Sequence, residues 1–119
     1  MEKELLSNVL QIQAQLRVLH WQTESYAEHN AFGGAYDALD ELFDTLIEAY
    51  MGKYGRPKFG GMKQLAVADY DNVKIDAFID GLHQFFENAF MATTDKELDN
   101  ICQEITSELD KLKYLLTLK

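Results

Sequence analysis

The sequence predicts an all-α chain: four amphipathic helices in one bundle, with a single long connection between the second and the third. Three observations carry this. Apolar residues recur at steps of three and four along most of the chain. One proline and seven glycines leave long stretches free for helix. No stretch alternates polar and apolar residues as a half-buried strand does. With 119 residues there is room for one domain, spanning residues 1–119, and a 47% apolar share can fill one core.

The first helix is predicted over about residues 3–23, where Leu5, Val9, Ile12, Leu16 and Leu19 mark one stripe. Ser25-x-x-Glu28 has the form of a capping box and starts the second helix near Tyr26. Phe32, Tyr36, Leu39, Phe43, Leu46, Ile47 and Tyr50 are its apolar stripe, and Gly52 and Gly55 before Pro57 stop it, at or near Gly52. Residues 53–71 form the one long connection. A third helix follows near 73–91 (Ile75, Phe78, Leu82, Phe85, Phe86, Ala89). Thr94-x-x-Glu97 is a second capping box, opening a fourth helix with Leu98, Ile101, Ile105, Leu109, Leu112 and Leu116. Two tight turns and one long middle link fit a bundle with a crossover between helices two and three.

Composition excludes several classes. Twenty acidic against eleven basic side chains give a net charge of −9, which repels a phosphate backbone, so nucleic acid and anionic membranes are not expected partners. No apolar run approaches the ~20 residues that cross a bilayer. Met1 is followed by Glu2-Lys3-Glu4, not by the basic and apolar start of a signal peptide. A single cysteine, Cys102, allows no internal disulfide and suits a reducing compartment. The expected address is the cytoplasm.

The residues that carry chemistry are His20 near the end of helix one and His29, Asp44 and Glu48 on helix two. With His29 as origin, Asp44 lies about 60°, Asp37 about 80° and Glu48 about 100° around the helix. Asp40 and Glu41 flank this side. Imidazole mixed with carboxylate suits iron, manganese or zinc, and carboxylates bridge paired metals ~4 Å apart. Fifteen residues separate His29 from Asp44, about 22 Å of helix, which no metal spans. His20 and His29 can meet across the tight turn, and Asp44 and Glu48 lie one turn apart. The halves combine only if a second subunit presents its Asp44 and Glu48 to these histidines. A two-fold axis near Asp37-Ala38, with Gly33, Gly34, Ala35 and Ala38 allowing close approach, makes two such sites per dimer.

His20-Trp21, then His29, Tyr36, Asp44 and Glu48 at intervals of seven, fifteen and nineteen from His29, resemble the Dps family of ferritin-like proteins. Gly55-Arg56-Pro57 and Met62-Lys63-Gln64-Leu65 look like stretches that follow helix two in that family, and the Leu-His-Trp-Gln-Thr texture resembles short ferritin-like phage chains. The similarity covers about residues 16–66. It implies a ferritin-like four-helix bundle, ferroxidase ligands at His20, His29, Asp44 and Glu48 shared across a dimer two-fold, and dimers built into a hollow dodecamer. The chain departs from the pattern twice: the segment between the histidines is three residues shorter, and the family's further carboxylate, four residues after the second histidine, is Gly33 here. Asp37, one turn on, is the substitute candidate.

Two functions are therefore expected. The first is an iron store that oxidises Fe(II) with dioxygen or peroxide, the histidines holding one metal, Glu48 bridging and Asp44 adding charge. The second is a metal-free helical oligomer that binds a protein or small molecule, such as a phage-encoded inhibitor, through residues 53–71 with Lys58, Phe59 and Gly60-Gly61. Blander roles compete at single positions. Asp37, Asp40 and Glu41 read as a solvated or interface stripe. Trp21 reads as a core anchor or, by the resemblance, a radical-quenching neighbour. His83 reads as a satisfied, partly buried histidine; Tyr36, Tyr50 and Tyr114 as apolar helix positions; Cys102 as core filler.

Overall fold

The computed structural model describes residues 2–90 and 95–118, which hold four α-helices and no strand. They are α1 (Glu2–Gln22), α2 (Tyr26–Tyr54), α3 (Ile75–Asn88) and α4 (Lys96–Leu115), with a 3-10 turn at Tyr70–Asn72 before α3. Among the described residues no helix is long and apolar enough to cross a membrane. The 29 residues of α2 reach about 43 Å at ~1.5 Å per residue, matching the 42 Å long axis of the molecule. This helix is the spine. It packs on α1 along one side and on α4 along another, and α3 packs on α4.

The apolar stripes meet in one core. Leu5, Leu16, Leu19, Phe32, Leu39, Leu46, Leu98, Ile105, Leu109 and Leu112 are almost wholly buried. Phe86 of α3 stacks on Phe43 of α2 with ring centres 5.3 Å apart, so aromatic bulk closes the centre of the bundle. Each such side chain stabilises the fold by roughly 1.5–3 kcal/mol on burial. Ile79, absent from the expected stripe of helix three, is among the most buried residues.

Three helix ends differ from expectation. Helix two runs through Gly52 to Tyr54 and stops at Gly55, whose φ of 86° permits the reversal. Gly52 is exposed and tolerated, since a helical glycine costs only ~1 kcal/mol. The first capping box is half made: Ser25 Oγ accepts from Glu28 N at 3.2 Å, while the Glu28 carboxylate takes Thr23 Oγ1 at 2.7 Å and the Tyr70 hydroxyl at 2.6 Å. Helix four is capped by Asp95, whose carboxylate accepts from Leu98 N at 3.1 Å. Thr94 and Met91, parts of the expected box and helix, lie outside the described residues.

The connection between α2 and α3 is strapped along α1. Ala66 N donates to Gln11 Oε1 at 2.9 Å, Ala68 N to Gln15 Oε1 at 2.8 Å, and Tyr70 N to Gln22 Oε1 at 2.7 Å. Gln15 Nε2 returns a bond to Ala68 O at 2.9 Å, and Gln22 Nε2 reaches Asp69 at 2.9 Å. These glutamines lie within about 40° of one another around α1, and they take every second backbone N–H, as a neighbouring strand would. The link thus runs along α1 from Gln11 to Gln22, the end of that helix, before α3 begins.

Candidate metal centre

His20 sits in the last turn of α1 and His29 in the first of α2, joined by a turn held locally. Thr23 N donates to Leu19 O at 3.1 Å, and Ser25 N to Thr23 Oγ1 at 3.1 Å. Tyr70 locks this turn from 42 residues away through Glu28; that bond, then burial, raises the phenol above its usual pKa.

The two imidazoles stack with centres 3.8 Å apart and planes 16° apart. Each tethers to the other's backbone: His20 Nδ1 lies 2.7 Å from His29 O, and His29 Nδ1 lies 2.8 Å from His20 O. A carbonyl oxygen only accepts, so both Nδ1 atoms carry the proton, and in the neutral rings both Nε2 atoms keep a lone pair. Metal-ligating histidines share one feature of this pair, a carbonyl that fixes the tautomer and raises the basicity of the other nitrogen; here the stack keeps the two Nε2 lone pairs side by side. Both rings are half-buried. Gly33 faces this pair: a Cβ there would sit 2.9 Å from His20 Cε1 and 3.2 Å from its Nδ1. A side chain at residue 33 would therefore require the His20 ring to shift.

Asp37, Asp44 and Glu48 are exposed on the outer side of α2, and none makes a hydrogen bond or ion pair among the described residues. Asp40 accepts from Gln13 Nε2 at 3.0 Å. Because α2 is continuous from Tyr26 to Tyr54, the histidines and the Asp44–Glu48 pair stay about 22 Å apart. Among the described residues no group of three or more His, Cys, Asp and Glu converges on one point. The chain brings His20 and His29 together and leaves the carboxylates apart from them.

Neighbouring residues correct single expectations. Trp21 is 68% exposed and anchors no core. The Arg17 guanidinium lies 4.0 Å over the half-buried Tyr36 ring and 5.9 Å from Trp21. Tyr114 is 63% exposed, whereas Tyr50 is buried. His83 is part-buried between Glu87 (3.5 Å) and Asp110 (3.2 Å). Cys102 is buried in the core, and desolvation, helped by Asp99, pushes its thiol up to about 12, which removes it as a nucleophile. Sequence reasoning missed Asp95, which is buried and accepts from Lys53 Nζ at 2.9 Å and Tyr54 OH at 2.5 Å. Those bonds, with Leu98 N, hold its carboxyl at about 2.

Comparison with known proteins places the chain among relatives without an assigned activity. A family model described as "Family of unknown function (DUF5856)" matches residues 20–116. Over 120 residues the chain is 28% identical to a protein of Enterobacteria phage T4 described as "Uncharacterized 14.6 kDa protein in mobD-ri intergenic region", covering 98% of this chain and 88% of that protein. No solved structure matches significantly.

Proposed function

The chain belongs to the DUF5856 family, whose matched span opens on His20, and for this member we propose an iron-binding ferroxidase and iron-storage subunit. In this reading the bundle is ferritin-like, and its paired metal sites lie between two copies. His20 and His29 come from one copy, Asp44 and Glu48 from the other, and Asp37 stands near the two-fold. The single observation that carries it is the histidine pair: both protons are given to backbone carbonyls, which leaves two nitrogen donors and no other evident use for them. The carboxylates on α2 complement this, being exposed and without partners among the described residues.

Fe(II) is the substrate. Two ferrous ions supply the two electrons that, with two protons from solvent, reduce one hydrogen peroxide to two waters. The stacked rings hold their Nε2 lone pairs side by side, so His20 and His29 each offer one nitrogen to an ion of the pair. Glu48 bridges the pair, and Asp44 adds negative charge that favours the ferric product. The test is anaerobic loading with ferrous iron followed by peroxide, monitored in the near ultraviolet, together with solution mass. Wild-type dimers or larger assemblies should oxidise iron faster than buffer, and Glu48→Gln should lose most of that rate while keeping the helical spectrum. Wild-type protein that neither binds iron nor speeds its oxidation refutes the reading.

One observation favours a second reading, the metal-free binding oligomer. Residues 49–68 hold no acidic side chain but contain Lys53, Arg56, Lys58 and Lys63. Leu65 and Val67 are exposed there beside Leu10. This reading predicts that Arg56→Glu with Lys58→Glu changes assembly or partner capture, and that Glu48→Gln changes nothing.

A further inference from the structure

We propose that the outer edge of the strap, at residues 65–69, is a docking site for an extended apolar peptide with an acidic end, which pairs with it as an added β-strand. The proposal rests on the second reading, in which residues 49–68 are a contact surface, and not on iron.

The backbone supplies the first argument. Ala66 N and Ala68 N donate to Gln11 and Gln15, and Ala68 O accepts from Gln15, so the even-numbered residues face α1. In an extended chain the N–H and C=O of one residue point to one side, and those of the next residue to the other. Leu65 and Val67 therefore turn both groups away from α1. Asp69, extended at φ −65° and ψ 154°, turns its N–H the same way. None of these three N–H groups makes a hydrogen bond among the described residues. Residues 64–67 are exposed, so this side is open to a partner. Glutamine side chains take the place of a neighbouring strand on one edge, and the other edge keeps its valence.

The side chains say what fits there. Edges that stay empty carry a charge, a proline or a bulge within the run. Here the run holds Leu65 and Val67, 46% and 38% exposed. Beside Leu65 lies a groove of about 310 Å³ lined by Leu10, Phe59, Met62, Lys63, Gln64 and Leu65. It suits an apolar side chain of a strand laid along the edge, which takes affinity from the backbone and specificity from such a groove. Lys63 lines the groove, and Arg56 and Lys58 precede it in the chain. None of the three makes an ion pair among the described residues. On a chain of net charge −9, residues 49–68 reverse the sign, which selects an acidic partner. A second copy's strap would bring its own Lys58 and Lys63 to this surface, and like charges oppose that pairing.

The test uses two blocked heptapeptides, Thr-Val-Thr-Val-Thr-Glu-Glu and its reverse, which serve antiparallel and parallel pairing. Each is titrated into the full chain at ~50 mM salt. One of them should bind and protect the Leu65 and Val67 amides from hydrogen exchange, while Ala66 and Ala68 change little. Methylating both Val nitrogens of that peptide should weaken binding by at least about tenfold, through the loss of two backbone hydrogen bonds. Val67→Pro removes an N–H that the fold does not use. This variant, and separately Arg56→Glu with Lys63→Glu, should weaken binding by about fivefold at an unchanged melting temperature. Glu48→Gln should bind as wild type does. Equal binding of the methylated peptide, or binding that leaves Leu65 and Val67 unprotected, overturns the strand pairing while the contact surface stands. Wild type protected at Leu65 and Val67 without peptide, and losing that protection on dilution, has a second copy on the edge, which overturns the peptide as occupant. Binding of neither peptide overturns the proposal. If Arg56→Glu with Lys58→Glu then also leaves assembly unchanged, the second reading falls with it. If circular dichroism shows Val67→Pro unfolded, the methylated peptide and the exchange data decide.

Discussion

The two ends of α2 are tied down by different chemistry. At its start, His29 and His20 exchange hydrogen bonds with each other's backbone, and each ring uses one nitrogen and keeps the other. At its end, the Asp95 carboxylate is taken up by Lys53, Tyr54 and Leu98 N. Both clasps join helix ends that a short turn or a distant segment brings together. One leaves donors unspent, and the other leaves its two oxygens engaged. A polar cluster becomes a candidate for function when its valence exceeds what the fold consumes.

The strongest way to break this contrast is a double dissociation. His29→Ala should lower iron or zinc affinity by at least about tenfold with little change in melting temperature. Asp95→Ala should do the reverse: lose several degrees of melting temperature, because Lys53 and Tyr54 are left beside an empty cap, and bind metal as wild type does. Equal effects of both variants on metal affinity would erase the distinction between the two ends.

A smaller effect sharpens it through pH. The Asp95 carboxyl is held at about 2 against an ordinary 3.8, chiefly by the Tyr54 and Lys53 hydrogen bonds. A carboxyl depressed on folding adds stability that is complete above its unfolded value and is lost as pH falls through its folded one. The melting-temperature gap between wild type and Asp95→Asn should therefore be constant at neutral pH and shrink between about pH 4 and pH 2. The smallest effect concerns Cys102. With its thiol pushed up to about 12 by burial, alkylation by iodoacetamide near pH 8 should proceed only through unfolding of the chain.

What the sequence made legible was what periodicity encodes. The stripe Leu5, Val9, Ile12, Leu16, Leu19 is buried as a unit, because side chains three and four apart share a face. The meeting of His20 with His29 followed from a turn too short to keep them apart. Their reciprocal bonds did not, since no spacing encodes which way a ring turns. Glu28 was read as a partner of Ser25 because both are local; its backbone N–H does donate to Ser25 Oγ, but its carboxylate goes to Thr23 and to Tyr70, 42 residues on. Gly52 looked like a stop because residue type was weighed without backbone angle, and the reversal occurs at Gly55. Trp21 was weighed as an anchor by type alone, and the helix turns it to solvent. The spacing of Asp44 and Glu48 from the histidines was legible as the stripe was, since one unbroken helix sets it at about 22 Å.

The glutamine strap fixes register as well as path. Its bonds fall on Ala66, Ala68 and Tyr70, so a shift of one residue would turn the wrong set of N–H groups toward α1 and break all of them together. Room for an extra residue therefore lies upstream, among Gly55, Gly60 and Gly61, where a Cβ would meet nothing within 4 Å. A residue inserted near Gly60 should be absorbed as a wider loop. The same residue inserted between Ala66 and Tyr70 should release the crossover from α1 and free the Tyr70 hydroxyl from Glu28. The histidine turn would then depend, through five residues of tightly indexed chain, on a segment that never touches a histidine.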